Sequence, residues 1–320
     1  MGRIRVTRPA PDRAAIEAAL DEAHEAGRAK CAHGAVADYI PELARVDPSL
    51  FGIAVHTVDG VSASIGDAAH PFTLQSCSKV FSLSAVIEHS GETVFRQMST
   101  EPSGDAFFSI VKLEEEKGQP RNPYINAGAI LTSDHLPGAS PADRVAHFQD
   151  FLGRASGLEA AAFPVNEAVF RSESETGHRN RALAEIMRHH GVISDVEAAV
   201  ETYFRQCAVT CTAERLARCA LFLANAGTDP LTGAAIITPA NAHGVLALMA
   251  TSGMYDEVGS HAIEVGLPSK SSVSGAVLAV APGRLAIAGF GPALGAKGNS
   301  IGAMKALGVL SKRLELSVFR

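Results

Sequence analysis

Phe72-Thr73-Leu74-Gln75-Ser76-Cys77-Ser78-Lys79-Val80-Phe81 is the stretch on which the reading of this chain turns. It opens a helix expected to run to Gly91, with Ser76 in the first turn. Ser76 and Lys79 stand three apart and so share one helix face. Ser76 also lies where the unbonded N–H groups and the positive end of the helix dipole gather. A serine hydroxyl beside a lysine that can take its proton is a nucleophile arrangement. The amine has to be neutral for that. Its pKa must fall from about 10.4 by about three units, ~4 kcal/mol, through burial and nearby positive charge. Ser78 adjoins Lys79 but points about 100° away around the helix. Cys77 is intrinsically the stronger nucleophile, but the sequence pairs no histidine with it, and it reads as a small buried hydrophobe. S-x-x-K also arises by chance in chains of this length, so the pair needs support from elsewhere.

Upstream, Phe51, Ile53, Val55 and Thr57 alternate with smaller residues, and Asp59-Gly60 supplies a hairpin turn into Val61 to Ile65. A strand pair therefore precedes the Ser76 helix. Residues 11 to 27, rich in Ala and Glu and stopping at Gly27, read as a helix, and 37 to 43 as a loop or helix end. Downstream, helices are expected over 76–90, 141–153, 180–190, 195–207, 212–225 and 239–252. Gly191 and Gly227 mark stops, and Ser194-x-x-Glu197 reads as a capping box. The connections 98–130 and 156–179 are polar and Gly/Pro-rich, of the length expected of functional loops. After Gly253 the strand signal returns: Val273, Ala276, Val277 and Leu278 to Val280 lead to Pro282-Gly283, and Leu285 to Phe290 form a partner. A last helix from near Asn299 aligns Ile301, Met304, Leu307, Leu310 and Leu314. Strands at both ends with helices between them predict an α+β protein. Its sheet subdomain would comprise 1–75 and 256–320, its mainly helical subdomain 76–255, with the active site between them.

At 320 residues and 47% hydrophobic, the chain can bury a sizeable core. A net charge of −6 argues against nucleic acid or an anionic membrane as the main partner. No run of eighteen apolar residues offers a membrane span, and the basic Met1 to Pro9 lacks the apolar region of a signal peptide. Five cysteines (Cys31, Cys77, Cys207, Cys211, Cys219) in apolar or helical settings suit reduced thiols and a cytoplasmic location. Cys207 with Cys211, and Cys31 with His33, supply no convincing four-ligand spacing, so no metal is expected.

With Ser76 and Lys79 in view, Lys270-Ser271-Ser272-Val273, expected to open the late strand, completes a scheme similar to that of penicillin-recognising serine enzymes. A fuller match is carried by Asp38-Tyr39-Ile40-Pro41, Gln75 to Lys79, Glu101-Pro102-Ser103-Gly104 and Asn122-Pro123-Tyr124-Ile125-Asn126-Ala127-Gly128-Ala129-Ile130. Ser172 to Arg181, Tyr203 to Cys207, Ser252-Gly253-Met254-Tyr255-Asp256 and Gly266 to Ser271 extend it. In order over about residues 30 to 315, these stretches resemble the serine-dependent glutaminase family. The resemblance implies a β-lactamase/transpeptidase-like fold that hydrolyses L-glutamine to L-glutamate and ammonia without a cofactor, and it suggests a homotetramer. It implies Ser76 as nucleophile, Lys79 as its base and Tyr255 as proton shuttle. Substrate would be held by Tyr39, Ser76, Asn126, Glu173, Asn180, Tyr203, Tyr255 and Val273, the backbone N–H groups of Val273 and Ser76 forming the oxyanion hole. His178, where an acidic residue is common, and Gly295-Ala296-Lys297, replacing a more acidic turn, are mild departures that remove no catalytic group.

The chemistry suits these residue types. Two N–H donors aimed at a developing oxyanion contribute about 3 kcal/mol each. A phenol between serine and lysine can relay the proton that leaving ammonia needs. Glu173 suits an α-ammonium group, and Asn126, Asn180 and Tyr203 suit an α-carboxylate. Narrow specificity for glutamine over asparagine follows, since mismatched ligands strand buried polar groups. Each residue also has an ordinary alternative. Asn180 stands where an N-cap is wanted before Leu183, Ile186 and Met187. Tyr203 continues the apolar face of Val196, Val200 and Phe204. Glu173 can be a solvated acid, Asn126 the closure of an Asx-turn, and Tyr255 a plug after a helix. Against these, all four tyrosines (Tyr39, Tyr124, Tyr203, Tyr255) fall within the matched stretches. Lys270 fits as a cation that depresses the pKa of Lys79.

Three rivals stand beside this reading. A β-lactamase or transpeptidase would use Ser133-Asp134-His135 as a damaged S-D-N motif. Gly289-Phe290-Gly291 with Gly295 loosely matches a dinucleotide loop, but too little chain follows it. A non-catalytic binding protein would keep Lys79 protonated.

Overall fold

Both ends of the chain are needed to build the sheet. The structure, a computed structural model, describes residues 9–104 and 108–319; the basic segment before Pro9 lies outside them. Asp12 caps helix α1 (Arg13–Cys31), its carboxylate accepting from Ala15 N at 2.8 Å. Strands β1 (Gly52–Thr57) and β2 (Ser62–Gly66) form the expected hairpin, and β3 (Phe72–Thr73) pairs with the distant β4 (Thr210–Cys211). Late in the chain come β5 (Ser269–Ser271), β6 (Ala276–Ala281) and β7 (Leu285–Phe290). The main sheet runs β2-β1-β7-β6-β5 and every pairing is antiparallel.

Helices fill the interval. They are α2 (Ser78–Ser90), α3 (Ile110–Glu115), α4 (Asn126–Asp134), α5 (Pro141–Ser156), α6 (Glu167–Thr176), α7 (His178–His189) and α8 (Val196–Cys207). There follow α9 (Ala213–Cys219), α10 (Leu221–Ala224), α11 (Pro239–Ser252), α12 (Val258–Glu264) and the terminal α13 (Ile301–Arg313). Alternation along the strands splits the core. Ile53, Val55, Val277, Ala279, Leu285 and Ile287 pack with Ile16, Leu20, Leu307 and Leu310 of α1 and α13. Ala54, Leu278, Val280, Ala286, Ala288 and Phe290 face the helices on the other side. With both faces covered, β6 and β7 are apolar throughout, as a doubly buried strand must be. These elements make an α+β architecture, an antiparallel sheet with helices on both faces. Among the described residues no helix is long and apolar enough to cross a membrane.

Several expectations need correcting. α1 passes through Gly27 to Cys31, because Gly27 is an interhelical contact rather than a cap: a Cβ there would lie 2.9 Å from the Gly302 carbonyl oxygen. The connection 98–130 contains α3 and α4, and 156–179 contains α6. The α4 segment, buried from Ala127 to Ser133, has no polar face to reveal a helical period, and α6 buries only Val169 and Glu173. The 212–225 helix breaks at Ala220 into α9 and α10. The α8 cap is Asp195, not Ser194; its carboxylate accepts from Ala198 N at 3.0 Å. Lys270 lies on the separate short strand β5, and Val273 falls in the turn before β6 rather than on a strand.

Candidate active site

Ser76 sits in a single 3-10 turn, Gln75–Cys77, that feeds directly into α2. Leu74 N donates to Val209 O at 2.8 Å, and Gln75 then takes a left-handed φ of 46° that swings the chain into the turn. Such a conformation in a residue with a Cβ costs on the order of 1–3 kcal/mol and marks a constrained position. Every residue from Ser78 to Ile87 is buried, which explains why this helix is small and apolar all round. Ser78 turns away as its angle requires: its Oγ donates to Gln75 O at 2.6 Å and accepts from Gln206 Nε2 at 2.9 Å. Cys77 is fully buried and its thiol is pushed up to about 12 by that burial, so thiolate attack has no support.

Lys79 is 1% exposed, and burial lowers its pKa to about 8 against the opposing influence of Cys207, Glu173 and Cys77. Its Nζ donates to Asn126 Oδ1 at 2.8 Å, Tyr124 O at 3.1 Å and the Tyr255 hydroxyl at 3.4 Å. Tyr255 is in turn hydrogen-bonded to the Ser76 side chain. Serine, phenol and amine thus form one line, and Tyr255 occupies the middle of it rather than plugging a turn. Tyr255 is itself left-handed, with φ 51°, at the start of a 3-10 turn Tyr255–Glu257.

Asn126 opens α4. The Asx-turn before it is made by Asn122, whose Oδ1 accepts from Tyr124 N at 3.0 Å and Ile125 N at 3.1 Å. Asn126 is therefore free to extend the polar chain: Tyr203 Oη donates to its Oδ1 at 3.4 Å, and its Nδ2 donates to Asn180 Oδ1 at 3.0 Å. Asn180 is not an N-cap, since α7 begins two residues earlier behind Gly177. Tyr203 does pack in the core, as its stripe predicts, but presents its hydroxyl to the site.

Glu173 is not solvated. It is 6% exposed at the end of α6, and burial raises its carboxyl to about 8, with a Gln75 hydrogen bond of 3.4 Å and Lys79 pulling the other way. A cavity of about 330 Å³ is lined by Tyr39, Phe108, Asn126, Glu173, Arg179 and Asn180. Tyr39 and Phe108 also edge an outer mouth of about 790 Å³ shared with Tyr255 and Val273. All nine residues singled out from the sequence converge here. Three that were not so assigned join them: Gln75 against Glu173, the Tyr124 carbonyl against Lys79, and Lys270, whose amine is 4.0 Å from the Tyr255 ring centre. Membership of a matched stretch is the one signal of the first two in sequence. Ser133-Asp134-His135, by contrast, is structural: Ser133 donates to Gln206 Oε1 at 3.0 Å, Asp134 pairs with Arg144, and His135 Nδ1 lies 2.9 Å from Leu131 O. Among the described residues no three His, Cys, Asp or Glu side chains converge where a metal ion could sit.

An antiparallel sheet flanked by a helical body, with a serine–tyrosine–lysine line that ends in a buried amine, defines an α+β protein of the β-lactamase-like class. A sequence profile described as Glutaminase matches residues 34–319. Curated glutaminases of Rhizobium rhizogenes and Pseudomonas entomophila are 46% identical over 306 residues and 45% over 309, spanning 95% and 96% of this chain and 98% of each relative. A solved probable glutaminase, YbaS, superposes with a TM-score of 0.92 at 34% identity, covering 97% of this chain and 100% of that one. A probable glutaminase from Bacillus subtilis, complexed with 6-diazo-5-oxo-L-norleucine, gives 0.86 at 33%, covering 99% and 100%. The chain belongs to the glutaminase family.

Proposed function

We propose that the chain hydrolyses L-glutamine to L-glutamate and ammonia through an acyl-enzyme on Ser76. The observation that carries this is the Ser76–Tyr255–Lys79 line, ending in an amine that burial brings to about 8. As Ser76 Oγ attacks the side-chain carboxamide carbon, its proton passes through the Tyr255 phenol to Lys79. The oxyanion is met by the N–H groups of Ser76 and Val273. Collapse breaks the C–N bond, and ammonia leaves with the proton returned by Lys79 through Tyr255. Water then repeats the sequence on the ester and releases glutamate and Ser76.

Glu173 receives the α-ammonium group. Before substrate enters, its carboxyl holds a proton to about pH 8; an entering ammonium takes over as the balancing charge and that proton passes to solvent. Asn180, Asn126 and Tyr203 offer donors to the α-carboxylate, and Tyr39 covers the mouth. Fixing the head group at Glu173 sets the side-chain length that reaches Ser76. Asparagine, one methylene shorter, leaves its carboxamide short of the nucleophile, and a displacement of about 1 Å costs on the order of a hundredfold in rate. The site lies between a lobe of 1–75 with 256–320 and a lobe of 76–255. The homotetramer and cytoplasmic location implied by the resemblance belong to the same reading.

Ammonia release from L-glutamine by the wild type and by Ser76→Ala tests the proposal. Loss of at least a thousandfold in the variant supports it. A variant that keeps its activity removes Ser76 from the mechanism, and equal kcat/KM on asparagine removes the length argument.

A further inference from the structure

Among the described residues two lysines are buried, and the mechanism above uses only Lys79. The other, Lys270, is 0% exposed in the middle of β5, where pairing with Leu278 fixes its backbone. Its carbonyl accepts from Cys77 Sγ at 3.4 Å, which ties it to the turn that carries Ser76. Its Nζ donates to Ser271 O at 2.7 Å and stands 4.0 Å from the centre of the Tyr255 ring. Tyr255 therefore has one amine at its hydroxyl and another at its face. The need for a brace is visible in the backbone. A left-handed tyrosine opens a single 3-10 turn between α11 and α12 and lies inside neither helix, yet its oxygen has to meet both Ser76 and Lys79.

We propose that Lys270 is a positioning residue for the proton transfer, its amine anchored on Ser271 O and braced against the ring so that the phenol oxygen stays between Ser76 and Lys79. The inference rests on the proposed role of Tyr255. One N–H goes to Ser271, and those remaining face the π-cloud, a contact that holds for amine or ammonium. As the phenol hands its proton on, negative charge grows on the ring system, and the nearby N–H dipoles stabilise it. The groups that face Lys270 are Lys79 and Cys77 from the nucleophile segment and Tyr255 from its own turn; burial and Lys79 lower its pKa, and Cys77 opposes them.

The test is a double-mutant cycle in the full chain, reading ammonia release with Lys270→Met, Tyr255→Phe and the pair. Lys270→Met is expected to lower kcat ten- to a hundredfold with KM within threefold, and the double variant to be no slower than Tyr255→Phe alone. A kcat within twofold of wild type, or losses that multiply, overturns the inference. Lys270→Gln, which keeps N–H donors, is expected to recover part of the loss, and it serves as the second probe should Lys270→Met not fold. Ser76→Ala in parallel separates the two readings: if that variant stays active the serine mechanism falls, whatever Lys270 does.

Discussion

Glu173 and Lys79 are two buried groups held near the same pH by opposite perturbations, and their titration makes the mechanism measurable. Under the proposed mechanism the free enzyme is competent when Glu173 is ionised and Lys79 neutral, so two protons must leave near pH 8. log kcat/KM is expected to rise with a slope approaching 2 below pH 7.5, whereas kcat, with Glu173 already paired to substrate, rises with slope 1. Unit slope in both profiles would remove Glu173 from binding. Stability carries the same signature. The folded carboxyl keeps its proton to about pH 8 and the unfolded one loses it near 4.5, so the folded state holds more protons between them and loses stability as pH rises through that window. Glu173→Gln should therefore raise KM at least thirtyfold while stabilising the fold at pH 8 and above by about 4 kcal/mol, read from denaturant midpoints. Cys77→Ala should keep kcat within threefold. Ser76, Lys79 and their neighbours were legible because their motifs are local. The left-handed turns at Gln75 and Tyr255 were not, since residues with side chains give no sign of a positive φ.

Among the elements, legibility followed amphipathicity. α5, α8 and α13 each turn one face to the core, and spacing found them. α4 was hidden because both of its faces are buried, and α6 because hardly any of it is. The α1–α13 contact shows the same limit. A Cβ on Gly302 would lie 2.7 Å from Cys31 Sγ and 3.1 Å from Gly27 O, so the helices touch backbone to backbone. Gly27 in sequence signals a helix stop; in three dimensions it is a contact. Gly302→Val is expected to cost about 1–3 kcal/mol by overpacking, seen as a lower Tm, with kcat of the folded fraction unchanged because the pair lies across the sheet from Ser76.

At the scale of the molecule, a buried charge pair joins the helical body to its loops. Asp229 is fully buried, accepts from Arg218 Nη2 at 2.7 Å and Thr232 Oγ1 at 2.6 Å, and Arg218 reaches on to Ala155 O at 3.3 Å in α5. Removing the acid strands a guanidinium, so Asp229→Ala should lower the unfolding free energy by about 3–5 kcal/mol in urea titration. The α+β class itself could be read from strand signals at both chain ends, but the sheet order could not, since nothing local declares that β1 takes β7 as its neighbour.

That pairing has a consequence for synthesis. His56 must wait for Ala286, so the sheet edge left by the first hairpin stays open while the whole helical body, α2 to α12, emerges and condenses beside it. A chain still on the ribosome lacks its completed sheet until β7 has emerged, and its exposed strand is a vulnerability that only β7 can close.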